Sequence, residues 1–324
     1  MPVMSYANAA KLAVAEAMRD DPTVWCVGED LGRGGVFKQY TGLVEEFGPQ
    51  RISDAPISEA AIMGAAFGAA MAGTRPIVEM RFADFALCAT DELVNQIAKA
   101  RFMFGGQSRA PMVIRKPMGM WRSSAAQHSQ SLESWYTHIP GLVVCCPATP
   151  QDNYSMMKAA IACDDPVVYL EHKNIWSHEG EVDTTKSVDF GKAALRRSGR
   201  DVTLVSWSHT ANLCAEAADT LASQGIEAEV LDLRSLWPWD KAAVFDSVRK
   251  TGRLLVAHEA VSVAGFGAEV VATVAQNIPM KTLPKRLGSP RGLIAYAPNL
   301  EDQMRVTAPM IATAAQDMME NEPA

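Results

Sequence analysis

The sequence predicts an α/β protein built from two doubly wound domains. Short apolar runs of four to seven residues, bounded by Gly, Pro or Asp, alternate with helix-like stretches along the chain. The runs show no clean polar alternation, which is how strands buried on both faces of a parallel sheet read. The length, 324 residues, suits two cores better than one.

The elements follow in order. Residues 5–19 read as an amphipathic helix, with acidic residues and no long apolar core, and not as a secretion signal. Strands are expected at TVWCVG (23–28), PIVEM (76–80), MVIRK (112–116), LVVCCPA (142–148) and PVVYLEH (166–172). Helices are expected at 59–72, 91–103 and 151–163. Residues 173–192 are polar without helical period and read as the connection. A second set comprises DVTLVSWS (201–208), EAEVLDLRSL (227–236) and RLLVAHEA (253–260), with helices near 210–223, 240–250 and 265–277. The expected division is a first domain over 1–180, a linker over 181–195 and a second domain over 196–324.

Bulk properties exclude several function classes. A hydrophobic share of 48% with 21% charged residues is that of an ordinary globular protein. The net charge of −7 and the lack of any Lys/Arg run argue against nucleic acid. No apolar stretch reaches about 18 residues, so no membrane span is expected. Cys26, Cys88, Cys145, Cys146, Cys163 and Cys214 form no CxxC pair and read as free thiols of a reducing cytoplasm. The vicinal Cys145 and Cys146 point to opposite strand faces and take no role. The histidines show neither HxxxH nor HExxH spacing, which leaves a histidine-built metal site without support.

Ile57-Ser58-Glu59 heads the small-residue run AAIMGAAFGAAMAG (60–73). Ser58 is expected to cap that helix, with Glu59 in the first turn where the macrodipole favours a carboxylate. In open parallel sheets, ligands sit beyond the carboxyl ends of the strands. That rule directs Glu59, the segment 81–85 and the loop leading to His128 toward one site. His128, in SSAAQHSQSLESW (123–135), suits general acid/base work. Phe85, in RFADFAL (81–87), can offer its face to a planar ring. GFGAEVVATV (265–274) lacks the third glycine of a dinucleotide fingerprint and reads as tight strand-to-helix packing.

Six strings together carry a resemblance: GEDLGRGGVFKQYTGLVEEFGPQR (28–51), DAPISEAAIMGAAFGAAMAGTRPIVEM (54–80), AAQHSQSLESWYTHIPGLVV (125–144), VVYLEHK (167–173), LDLRSLWPWD (231–240) and VAHEAVSVAGFGAEV (256–270). They resemble the β subunit of thiamine-diphosphate-dependent 2-oxo acid dehydrogenases, a family that includes the pyruvate, branched-chain and acetoin dehydrogenases. The resemblance runs from about residue 4 to about 320. It implies a pyrimidine-binding domain followed by a transketolase C-terminal-like domain, and an α2β2 heterotetramer. It implies oxidative decarboxylation of a 2-oxo acid with reductive acyl transfer to lipoamide on an acyltransferase component. Cleavage of an acyloin, as in acetoin dehydrogenase, is the alternative, and a non-catalytic assembly subunit is a third reading.

Residue by residue, the resemblance gives Glu59 the hydrogen bond to the cofactor's aminopyrimidine, Phe85 the stack on that ring, Ile57 an aliphatic lining position, and His128 the active-site histidine. Glu59 would share a proton with the ring nitrogen, work that suits a partly desolvated carboxyl with its pKa raised toward neutrality. Ala160, Cys163 and Asp165 fall where some relatives bind potassium, although an Asp is usual at the place of Cys163. Relatives hold the diphosphate and Mg²⁺ through GDG followed by Asn residues. This chain contains neither GDG nor Asn-Asn, so the α subunit is expected to hold that half. Gly64 and Gly68, with Ala65, Ala69 and Ala72, are expected to permit a β–β′ contact. Two segments depart from the pattern: Met118, Met120 and Trp121 replace small residues, and Arg81 stands where an uncharged residue is common.

Overall fold

The computed structural model describes residues Met1–Glu320; the last four residues of the second expected domain lie outside them. The α/β class read from the sequence is the class observed. The chain forms two compact units, Met1–Met118 with Trp135–Phe190, and Gly119–Ser134 with Gly191 onward.

The first unit contains β1 (Val3–Ser5), α1 (Tyr6–Asp20), β2 (Val24–Gly28), α2 (Leu43–Phe47), β3 (Ile52–Asp54), α3 (Glu59–Met71), β4 (Arg75–Glu79), α4 (Ala100–Met103) and β5 (Val113–Met118). After α5 (Glu133–Thr137) come β6 (Val143–Cys145), α6 (Pro150–Ala162), β7 (Val167–His172) and β8 (Glu179–Glu181). Six strands run parallel in the order β6-β7-β5-β4-β2-β3. β1 and β8 pair antiparallel as a separate ribbon. Helices α1 and α6 begin well. Ser5 accepts the amide of Asn8, Thr149 accepts that of Asp152, and Pro150 opens α6 without an amide to satisfy. Ala9, Ala13, Met156 and Met157 of these two helices are buried in one core with Val24, Cys26 and Val167 of the sheet. Gly28, the last residue of β2, sits where a Cβ would lie 2.8 Å from the Glu79 carbonyl oxygen.

One helix differs from expectation. Residues 91–103 hold a π-helical segment, Glu92–Ile97, and then the short α4. Asp91 accepts bonds from both Asn95 and Gln96, a pairing at i+4 and i+5.

The second unit contains β9 (Ala194–Arg197), β10 (Val202–Ser206), α7 (Ser208–Ala222), β11 (Ala228–Asp232), β12 (Ser235–Trp237), α8 (Lys241–Thr251), β13 (Leu254–Val261), α9 (Phe266–Asn277), β14 (Lys285–Ser289), α10 (Pro298–Glu301) and α11 (Ala308–Glu320). Its sheet runs β14-β13-β10-β11-β9, parallel except for the antiparallel edge strand β9. Val202, Leu204, Val230 and Leu255 pack with Cys214 and Leu221 of α7 and with Ile311 and Ala315 of α11. The glycines of GFG lie against the His258 ring, which a Cβ at Gly265 or Gly267 would approach to 2.5 or 2.8 Å. No helix among the described residues is long and apolar enough to cross a membrane.

Candidate active site

Glu59 is the first residue of α3 and is half-buried. It therefore stands at the carboxyl edge of the first sheet, where β3 hands over to α3. The alanines of EAAIMGAAFGAAM favour helix strongly. Ser58 occupies the N-cap position, but its side chain caps nothing, contrary to expectation. Its ψ is 81°, whereas the capping residues Ser5 and Thr149 have ψ of 156° and 161°. The first turn thus keeps its orphan amides, and among the described residues no hydrogen bond or ion pair engages the Glu59 carboxylate. One residue before the cap, Ile57 is 75% exposed.

Ile62, Met63, Ala66 and Ala70 form the buried face of α3. Its opposite side is bare: Ala61, Ala65 and Gly68 are exposed, and a Cβ on Gly68 would meet nothing within 4 Å. Among the described residues the helix is covered on one side only.

Phe85 opens a 3-10 turn, Phe85–Ala89, and α3 packs against this turn. The structure thereby brings Glu59 and Phe85 onto adjoining elements. Phe85 meets Phe82 edge-on, with ring centroids 5.2 Å apart at 72°. Arg81, at the same strand end, has φ of +30° and bonds Glu29 at 3.0 Å, with Asp30 at 3.4 Å.

Behind this edge lies a buried charged cluster. Arg115 of β5 forms a forked pair with Glu171 of β7, which also accepts Asn153 at 2.9 Å. Glu79 of β4 takes the Tyr40 hydroxyl at 3.0 Å and lies 3.8 Å from Arg115. Burial pushes the Glu79 carboxyl up to about 7 against the pull of Arg115. On the neighbouring residue, burial holds the Lys116 ammonium well below the usual lysine range. Its Nζ sits 3.9 Å from the centroid of the Tyr136 ring.

His128 belongs to the second unit, on the loop Gly119–Ser134. Arg122, Ser123 and Ala125 all take positive φ there, of 47°, 57° and 61°. Such a backbone persists only when its surroundings fix it. Glu259 of β13 does so, its Oε1 accepting the Met120 amide at 2.9 Å and the Ser131 hydroxyl at 2.8 Å. Arg305 donates to the Met120 carbonyl at 3.3 Å, Trp207 to Glu133 at 3.0 Å, and the Phe266 amide to Ser134 at 2.9 Å. A cavity of about 100 Å³ lies beside this loop, walled by Met120, Ser129, Glu259, Leu293 and Met304 among others.

Ala160, Cys163 and Asp165 lie at the other edge of the first sheet, where α6 leads into β7. The Ala160 carbonyl accepts the Cys163 amide at 3.3 Å. Arg75 donates to the carbonyls of Ile161 and Cys163 at 3.1 and 3.0 Å, and Arg101 pairs with Asp165. Guanidinium groups thus meet the dipole at this helix end. Among the described residues no cluster of three or more His, Cys, Asp or Glu could hold a metal.

Comparison with known proteins gives the family and the fold. The transketolase pyrimidine-binding domain family matches residues 3–177, and the transketolase C-terminal domain family matches 191–311. The acetoin:2,6-dichlorophenolindophenol oxidoreductase β subunit of Cupriavidus necator is 42% identical over 95% of this chain and 96% of its own. The 2-oxoisovalerate dehydrogenase β subunit of Bacillus subtilis is 38% identical over 99% of this chain and 100% of its own. A solved split-gene transketolase, described as an inactive β4 tetramer, covers 99% of both chains with a TM-score of 0.83 at 22% identity and so shares the fold. The chain belongs to the β subunits of the thiamine-diphosphate-dependent 2-oxo acid and acetoin dehydrogenases.

Proposed function

We propose that this chain supplies the pyrimidine half of a thiamine-diphosphate site shared with an α subunit, in an α2β2 assembly. The observation that carries the reading is the Glu59 carboxylate, unengaged among the described residues on the first turn of α3, with Phe85 on the turn packed against that helix. An unpartnered carboxyl beside a half-exposed aromatic ring fits a planar nitrogen heterocycle. When bound, the cofactor supplies a carbanion able to attack a carbonyl carbon. Glu59 holds and shares the proton at the ring nitrogen, Phe85 stacks on the ring, and Ile57 lines its apolar side. His128 holds or moves a proton at the reacting oxygen and during acyl transfer to a lipoyl group.

Mg²⁺ and the diphosphate are held by the α subunit. A potassium ion at Ala160, Cys163 and Asp165 would have to share the Cys163 carbonyl with Arg75. The proposed division of the chain is 1–180, a linker over 181–195, and 196–324. The six free thiols fit a reducing compartment.

The substrate is a pyruvate-like or branched-chain 2-oxo acid, decarboxylated with acyl transfer to lipoamide. Acetoin is a second reading, favoured by the 42% identity to the Cupriavidus acetoin enzyme. Turnover of the α–β complex with 2,6-dichlorophenolindophenol, across pyruvate, branched-chain acids and acetoin, separates the two. In the same assay Glu59→Ala is expected to lose at least about a hundredfold. Full activity in that variant would return the chain to a purely structural role.

A further inference from the structure

A 3-10 turn is a poor platform for aiming a ring. The Phe85 amide reaches the Phe82 carbonyl at 3.2 Å, and the Leu87 amide reaches that of Asp84 at 3.3 Å. These bonds fix the backbone of the turn and leave the ring plane of Phe85 to its side-chain neighbours. Phe82 is well placed to set it. Its centroid lies 5.2 Å from that of Phe85 at 72°, the edge-to-face arrangement that aromatic quadrupoles favour.

Phe82 is itself tied to rigid structure. Pairing with β5 continues past the end of β4, through the Met80 amide to Arg115 at 3.0 Å and the Ala83 amide to Pro117 at 2.8 Å. Phe37 approaches Phe82 edge-on at 5.6 Å and 81°. The ammonium of Lys173, a residue only 2% exposed, stands 4.9 Å from the Phe82 ring centroid. Trp176 backs Phe37 at 5.4 Å and donates its ring N–H to the Phe37 carbonyl at 3.3 Å. The ring is therefore flanked by Phe37 and Lys173, from two distant stretches of chain, while its backbone is tied to β5.

We propose that Phe82 is a positioning residue for the cofactor: it sets the ring plane on which the pyrimidine stacks, and Lys173 holds Phe82 in place. This rests on the stacking role of Phe85. Phe82→Leu keeps apolar bulk and removes the aromatic edge. In the α–β complex, the Kd and KM for thiamine diphosphate are expected to rise about two- to tenfold in Phe82→Leu, with a smaller change in kcat. The near-ultraviolet circular dichroism of the bound cofactor should change with them. Phe82→Tyr should restore the wild-type KM, and Lys173→Met should raise it by a smaller factor.

Unchanged Kd and KM in Phe82→Leu, beside a clear rise in Phe85→Leu, overturn the proposal; a lower melting temperature alone would leave Phe82 merely structural. If Phe85→Leu also leaves both constants unchanged, the stacking role fails and the proposal falls with it. Should Phe82→Leu not assemble, Phe82→Met and Lys173→Met carry the same test, and unchanged constants in both count against it.

Discussion

Glu259 accepts the hydroxyl of Ser131 at 2.8 Å, a bond between residues 128 positions apart. The same oxygen takes the Met120 amide, so one carboxylate holds both shoulders of the His128 loop. Hydrogen bonds to a charged acceptor contribute about 1.5–3 kcal/mol each. Glu259→Ala is expected to reduce turnover about ten- to a hundredfold and to open residues 119–134 to limited proteolysis. Glu259→Gln, which keeps an acceptor, should lie between. Wild-type turnover and wild-type cleavage in the alanine variant would show that the loop needs no such anchor.

Glu79 gives the fold a pH dependence of definite sign. Its carboxyl is raised by burial from the usual 4.5 to about 7. Between those values the folded chain keeps a proton that the unfolded chain has lost. The support this group lends is complete below about pH 4.5 and is lost as pH rises through about 7. Glu79→Gln, which can still accept from Tyr40, should therefore be more stable than wild type at pH 8, by roughly 1–3 kcal/mol. The advantage should shrink toward pH 5. Denaturant titrations at the two values check this, and an advantage that grows toward pH 5 would contradict it.

Gly68 separates folding from assembly. Its Cβ position is open, and Leu has the better helix propensity, by up to about 1 kcal/mol. The isolated Gly68→Leu chain should melt no lower than wild type, while the β–β′ contact weakens. Sedimentation at matched concentrations reads the assembly, and a normal heterotetramer would mean the bare face of α3 lies elsewhere.

The division of the cofactor site between chains also has a direct reading. Calorimetry of the isolated chain with thiamine diphosphate and Mg²⁺ should show no tight binding, and addition of the α subunit should create it. Tight binding to this chain alone would place a diphosphate site on it.

The long strands and most helices were legible because a parallel sheet writes continuous apolar runs. β1, β3 and β8 were not, since each is three residues long and leaves no period to find, nor were the edge strands β9 (ALRR) and β14 (KRLGS), which hold no continuous apolar run. α11 did carry a signal, with Ile311, Ala312, Ala315 and Met318 on one buried face, but no strand followed to frame it. The Ser58 cap failed for a reason no string of letters holds, a ψ that turns the hydroxyl from the amides. Glu59, Phe85 and His128 could be named from their motifs. Glu259 could not be assigned a role, because it acts through residues the fold alone brings near; Phe82 stands three residues before Phe85, but the angle between the two rings and the approach of Lys173 and Phe37 are set by the fold.

The loop bearing His128 lies within the span of the pyrimidine-binding family yet packs with the second unit. Chain order and contact order thus disagree over Gly119–Ser134. A chimera that exchanges everything from Gly191 onward would carry the histidine from one parent and Glu259, Arg305 and Trp207 from the other. Recombination between relatives is then safest when 119–134 travels with the C-terminal segment, as three crossovers rather than one.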